Sequence, residues 1–213
     1  EGALVDRFTD AFITHPTGGP GGAPASRLQT SLGMTSFGAN ANQASGFAMA
    51  DSFTVPAGGW SIETLKAYAY QTGSTTTSTL TGLRVWIMDG VPGAPGTNIV
   101  FGDDTTNVMT STSFTGVYRD SESGPGGSTR PVFEAVAEFS TPVELAAGDY
   151  WIAFGFNGSL ASGPWAPPRT ILGQTVTGAG MQRTNTGVWQ AFLDGEDPDK
   201  PQGVPFIIEG TAN

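Results

Sequence analysis

Residues 145–159 read LAAGDYWIAFGFNGS. From Tyr150 onward the apolar side chains Tyr150, Ile152, Phe154 and Phe156 take every second position, which is the period of an extended strand with one face turned to a core. The run opens on Ala147-Gly148-Asp149, whose residue types favour a turn. Outward from this stretch the same grammar repeats. Leu83, Val85 and Ile87 alternate in GLRVWIM, and Phe133, Ala135, Ala137 and Phe139 alternate in RPVFEAVAEF. Further runs rich in aromatic and β-branched residues lie at 51–55, 62–71, 98–101, 113–119, 187–192 and 204–209, which makes about nine or ten strands. Asp89-Gly90, Pro92-Gly93, Pro95-Gly96 and Gly124-Pro125-Gly126-Gly127 punctuate them. No stretch after residue 30 sustains a helical period, so the expected fold is all-β: a single antiparallel β-sandwich, jelly-roll-like, over residues 31–213.

Residues 1–30 read differently. Residues 15–26, HPTGGPGGAPAS, hold too much Gly and Pro for regular structure and predict a loop or an extended arm. Before them Leu4, Val5, Phe8, Ala11 and Phe12 would share one helical face, while a strand beginning near Phe12 suits the rest of the fold. Both readings stay open at this point.

The composition excludes several function classes. The chain of 213 residues carries 31 Gly and 15 Pro, only 13% charged residues and a net charge of −10. That charge repels nucleic-acid phosphates and anionic membranes, so neither is an expected partner. Cysteine is absent, which removes disulfides, thiolate nucleophiles and Cys-ligated metals. No apolar run reaches the roughly 18 residues of a membrane span. The chain begins at Glu1 rather than Met, and the expectation is a mature exported product.

The order of motifs resembles a family of secreted bacterial β-sandwich proteins of unassigned function. The segments that carry the likeness are FTVPAGGWSIETLKAYAYQTGS at 53–74, GLRVWIMDGVPGAPG at 82–96, GVYRD at 116–120, RPVFEAVAEF at 130–139, LAAGDYWIAFGFNGS at 145–159, SGPWAPP at 162–168 and VPFIIEG at 204–210. The resemblance implies export, an extracellular or cell-surface location and a domain of surface-attached or secreted proteins. It supplies no catalytic residues. Unlike longer members the sequence ends at Thr211-Ala212-Asn213, and the expectation is attachment through the domain's own surfaces and not through an anchoring tail.

Catalytic constellations are sparse. The one histidine, His15, lies in the Gly/Pro segment, a poor place for a rigid Ser-His-Asp arrangement. Glu134 and Glu138 share a strand face about 13 Å apart, whereas paired-carboxylate glycosidases want roughly 5 to 9.5 Å. Glu63, Asp89 and Glu209 would meet only through tertiary structure. No catalytic residue and no obligate cofactor is expected.

Calcium is the metal that the composition permits, because loops can offer it carboxylates and carbonyls. Asp194, Glu196, Asp197 and Asp199 in LDGEDPDK form the leading candidate set, ahead of Asp103-Asp104. Trp165 in GPWAPP and Trp189 in TGVWQ stand in or beside loops, where an indole face can stack on a sugar. Trp60, Trp86 and Trp151 sit in strand patterns and are expected in the core.

Three functional readings follow. The first is a non-catalytic secreted structural or adhesive protein that self-associates through strand edges, or by donating its N-terminal segment with Leu4, Val5, Phe8 and Phe12 as anchors. On that reading, deleting residues 1–14 leaves a folded domain that no longer assembles. The second is a carbohydrate-binding module whose partners are glycans. The third is a polysaccharide-active enzyme using paired carboxylates.

Overall fold

The computed structural model describes residues 2–9 and 11–213. Their strands, in chain order, are β1 (Gly2–Asp6), β2 (Ala25–Leu28), β3 (Ala39–Asn40), β4 (Ala48–Val55), β5 (Trp60–Ala69), β6 (Leu80–Met88) and β7 (Ile99–Gly102). The second half supplies β8 (Ser111–Ser121), β9 (Pro131–Leu145), β10 (Gly148–Gly158), β11 (Trp165–Ala166), β12 (Met181–Arg183), β13 (Trp189–Ala191) and β14 (Phe206–Ala212). Each of the nine runs expected from sequence is a strand. Five short ones, β1, β2, β3, β11 and β12, join them.

Two six-stranded sheets face each other, ordered β1-β14-β5-β9-β8-β2 and β13-β12-β4-β10-β6-β7, with a small ribbon β11-β3 beside them. Pairing is antiparallel except between β2 and β8. The alternating sets found in the sequence meet in the middle. Phe154, Phe156, Leu83, Val85, Ile87, Phe133 and Ala135 belong to one buried cluster between the sheets. Aromatic pairs close its ends: Phe53 stacks on Trp60 at 5.9 Å, and Phe101 meets Phe139 edge-on at 5.0 Å. Among the described residues no helix is long and apolar enough to cross a membrane.

The tryptophans divide between the two sides of a sheet. Trp60 fills the inter-sheet core as expected. Trp86 and Trp151 do not; they lie on the outer face of the second sheet with Ala48, Ala50, Met88 and Ala153. The period of two requires this, since residues adjacent to the inward Val85, Ile87, Tyr150 and Ile152 must point outward. Trp86 is nevertheless only 2% exposed. Arg183 lies 5.1 Å above its ring and is itself tied to Asp104 at 2.7 Å.

β1 and β2, the first two strands of the chain, form the two edges of the first sheet. β1 is a strand, not a helix, and pairs antiparallel with β14. It ends where the Asp6 carboxylate accepts the N–H groups of Phe8 and Thr9 at 2.9 and 2.7 Å. Phe8 then stacks on Tyr68 at 3.9 Å, and Phe12 is buried with Tyr68, Val117, Val132 and Ile207 on the outer face of that sheet. The Gly/Pro segment folds back on itself: the His15 and Ala25 backbones exchange hydrogen bonds at 3.0 and 2.8 Å. β2 then runs along β8 with every residue buried.

Candidate functional site

A cleft of about 530 Å³ opens between the β11-β3 ribbon and the β12-β13 hairpin. Trp165 and Asn40 come from the ribbon, Gln182 and Gln190 from the hairpin, and Ser36 and Glu196 from the loops beyond. Each wall is fixed by local rules. The hairpin closes through Thr184, whose N–H donates to the Val188 carbonyl at 2.8 Å. In its register Gln182 stands directly opposite Gln190. Gln182 Nε2 donates to the Asn40 carbonyl at 2.9 Å and so ties hairpin to ribbon.

Trp165 is held on three sides. Its N–H and carbonyl pair with Tyr70 at 2.9 and 3.0 Å. Its indole N–H donates to Ser162 Oγ at 3.1 Å. Beneath it Tyr70 is buried, and burial pushes the phenol up to about 12, so it stays a neutral support. The indole is half-buried and lines the cleft, flanked by Pro164 and Pro167.

Gly38 sets how closely the ribbon strands approach. A Cβ there would lie 2.7 Å from the Ala166 carbonyl oxygen and 3.1 Å from Tyr70 Oη. Gly38→Ala is therefore expected to push the ribbon apart and destabilise the fold by about 1–3 kcal/mol. Urea unfolding followed by tryptophan fluorescence checks this; a wild-type midpoint would refute the close-packing argument.

Trp189 does not reach the cleft. It occupies the same strand as Gln190 but the opposite face, where it meets the Trp86 ring at 6.3 Å. The two candidate stacking tryptophans therefore serve different surfaces.

The acids of LDGEDPDK do not converge. Asp194, 1% exposed, accepts from Thr35 N at 2.7 Å, Thr35 Oγ1 at 2.8 Å and Ser36 N at 3.0 Å. It pins the loop that brings Ser36 to the cleft. Asp197 accepts from Asp199 N at 3.0 Å and pairs with Lys200 at 3.3 Å, and these contacts hold its carboxyl below the ordinary carboxylate range. Only Glu196 of the four lines the cleft. In the other acidic turn, Asp103 accepts from the side chains and N–H groups of Thr105 and Thr106, which hold it far below the usual carboxylate value, while Asp104 is taken by Arg183. Among the described residues no group of three or more His, Cys, Asp or Glu is gathered for a metal ion.

The paired-acid candidates are likewise apart from the cleft. Glu134 accepts from Tyr68 Oη at 3.0 Å on the outer face of the first sheet, Glu138 is exposed, and Glu209 pairs with Lys66 at 2.7 Å. Asn40, Gln182 and Gln190 carry no motif, and sequence reading missed them. The one available signal was the hairpin itself, since MQR and VWQ flank the turn TNTG. Compared with known proteins, the chain matches no family model, no curated protein and no solved structure.

Proposed function

We propose that this domain is a binding module for a neutral, hydroxyl-rich ligand of the oligosaccharide class. The observation that carries the reading is a half-exposed, firmly held indole in a cleft that also presents the amides of Asn40, Gln182 and Gln190 and the Ser36 hydroxyl, beside apolar Ala39, Phe192 and Leu193. An indole face stacks on the C–H face of a sugar, and amides take its hydroxyls in either direction. Among the described residues Glu196 is the only carboxylate lining the cleft, so the arrangement favours binding over two-acid hydrolysis. Placement outside the cell belongs to the same proposal and rests on the resemblance to exported β-sandwich domains.

Titration calorimetry against a panel of neutral oligosaccharides tests it. Trp165→Ala is expected to weaken binding about tenfold, the equivalent of ~1.4 kcal/mol. Trp189→Ala, on the far side of its strand, is expected to leave affinity unchanged. An unaltered Kd in Trp165→Ala would sink the stacking role.

A second reading, extracellular self-assembly through a strand edge, is favoured by β7. This strand ends its sheet, and its Ile99 and Val100 are 56% and 46% exposed. An open edge bearing β-branched residues is a template for another strand. On this reading the solution mass rises with concentration and Val100→Lys keeps the chain monomeric; a monomer at every concentration would rule it out.

A further inference from the structure

Glu196 is distinguished by backbone and by place. Among the described residues it is the one non-glycine with a left-handed backbone, at φ +61°, and it follows Gly195 at φ +58°. Such a position favours glycine, and a glutamate held there by its surroundings is a reason to look for a role. The surroundings do hold it. Asp194 is locked to Thr35 and Ser36, and a Cβ on Gly195 would stand 2.9 Å from Thr35 Oγ1. Among the described residues Glu196 is also the only charged one lining the cleft, and its side chain has no hydrogen-bond or ion-pair partner there. Of the neighbouring acids, Asp194 is taken by Thr35 and Ser36, and Asp197 by Asp199 N and Lys200.

We propose that Glu196 makes the cleft selective for amine-bearing sugars over uronates, an inference that rests on the glycan-binding reading. A protonated sugar amine would meet a carboxylate at the cleft wall and an indole face that attracts cations, while the sugar hydroxyls go to the amides. A uronate would meet a like charge on a chain of net charge −10. Because Glu196 is exposed, the gain is modest, about three- to tenfold in affinity at low salt, and shrinks as salt is added.

The test is calorimetry on the full chain at mildly acidic pH with three probes of equal length: an N-acetylglucosamine oligomer, its de-N-acetylated counterpart and an oligouronate. The wild type is expected to prefer the amine oligomer about three- to tenfold and to bind the uronate weakest. Glu196→Gln should abolish the preference for the amine oligomer over the N-acetylated one. Glu196→Gly, which relaxes the backbone, should behave as Glu196→Gln does and so separate charge from strain. A preference that survives in Glu196→Gln, or uronate binding as tight as neutral binding in the wild type, overturns the inference while the glycan-binding reading stands. Failure of all three oligomers to bind the wild type overturns both.

Discussion

Replacing Arg27 with alanine is expected to destabilise the fold by about 3–5 kcal/mol, since it strands one member of a buried ion pair. Arg27 Nε donates to Asp120 Oδ1 at 2.9 Å and Nη2 to Oδ2 at 2.6 Å. The two side chains are 11% and 0% exposed. The Asp120 hydrogen bonds hold the Arg27 guanidinium above its ordinary value. Without Arg27 the buried Asp120 carboxylate would keep the Gly126 N–H, at 2.8 Å, as its named donor. Arg27 also donates to the Gly18 carbonyl at 2.8 Å, so the same loss releases the Gly/Pro segment. Urea unfolding of Arg27→Ala measures the cost, and hydrogen exchange at residues 18–22 reports the release. The double variant Arg27→Met, Asp120→Leu is expected to recover only part of the loss, because the Gly18 and Gly126 hydrogen bonds go with the pair. A single variant within ~1 kcal/mol of wild type would show that the ion pair does not anchor β2, given that surface pairs are worth that little.

This pair also explains why the first thirty residues were opaque to sequence reading while the sheets were not. β9 and β10 announce themselves because Phe133 to Phe139 and Tyr150 to Phe156 alternate without a break. β2, with sequence ASRL, is buried at all four positions although two of them are polar. Its burial is earned by partners distant in sequence: Arg27 by Asp120, and Ser26 by Arg119 and Thr170 at 3.1 Å each. Arg119 in turn is fully buried, and burial draws its guanidinium down to about 10, while the Phe37 and Ser36 carbonyls accept from it at 2.9 and 3.0 Å. No local pattern encodes such a network. The cleft is equally non-local, since Ser36, Asn40, Trp165, Gln182, Gln190 and Glu196 meet only after both sheets close. Trp165 was legible as a candidate because it stands in a loop-like stretch, whereas the paired glutamines opposite it were not. For Trp86 and Trp151 a strand pattern alone does not say which face is inward; the period of two puts them opposite Val85, Ile87 and Ile152, in a second buried cluster.

Phe12→Ala is expected to lower stability by about 3–5 kcal/mol, a large share of the roughly 5–15 kcal/mol available to a domain. Phe12 is 1% exposed, and its ring lies 5.0 Å from Phe8, which covers Tyr68. The cavity would open beneath a short segment that has few other apolar anchors. Deleting residues 1–14 goes further. It removes Phe8 and Phe12 from the outer face of the first sheet and strips β1 from β14. β14 would then become an open edge carrying Phe206, Ile207 and Ile208, the kind of edge that recruits other chains. The expected product is a poorly folded protein that aggregates and binds hydrophobic dyes, in contrast to the folded, non-assembling domain that a donated segment implies. Light scattering and dye binding on the truncated chain separate the two, and only where the segment packs at home does a synthetic peptide of residues 1–14, added in trans, have solubility to restore. What decides is Phe12→Ala in the full chain at low concentration: if the segment packs on its own domain, the unfolding midpoint falls and does not depend on protein concentration, whereas a segment exchanged between copies makes the midpoint rise with concentration.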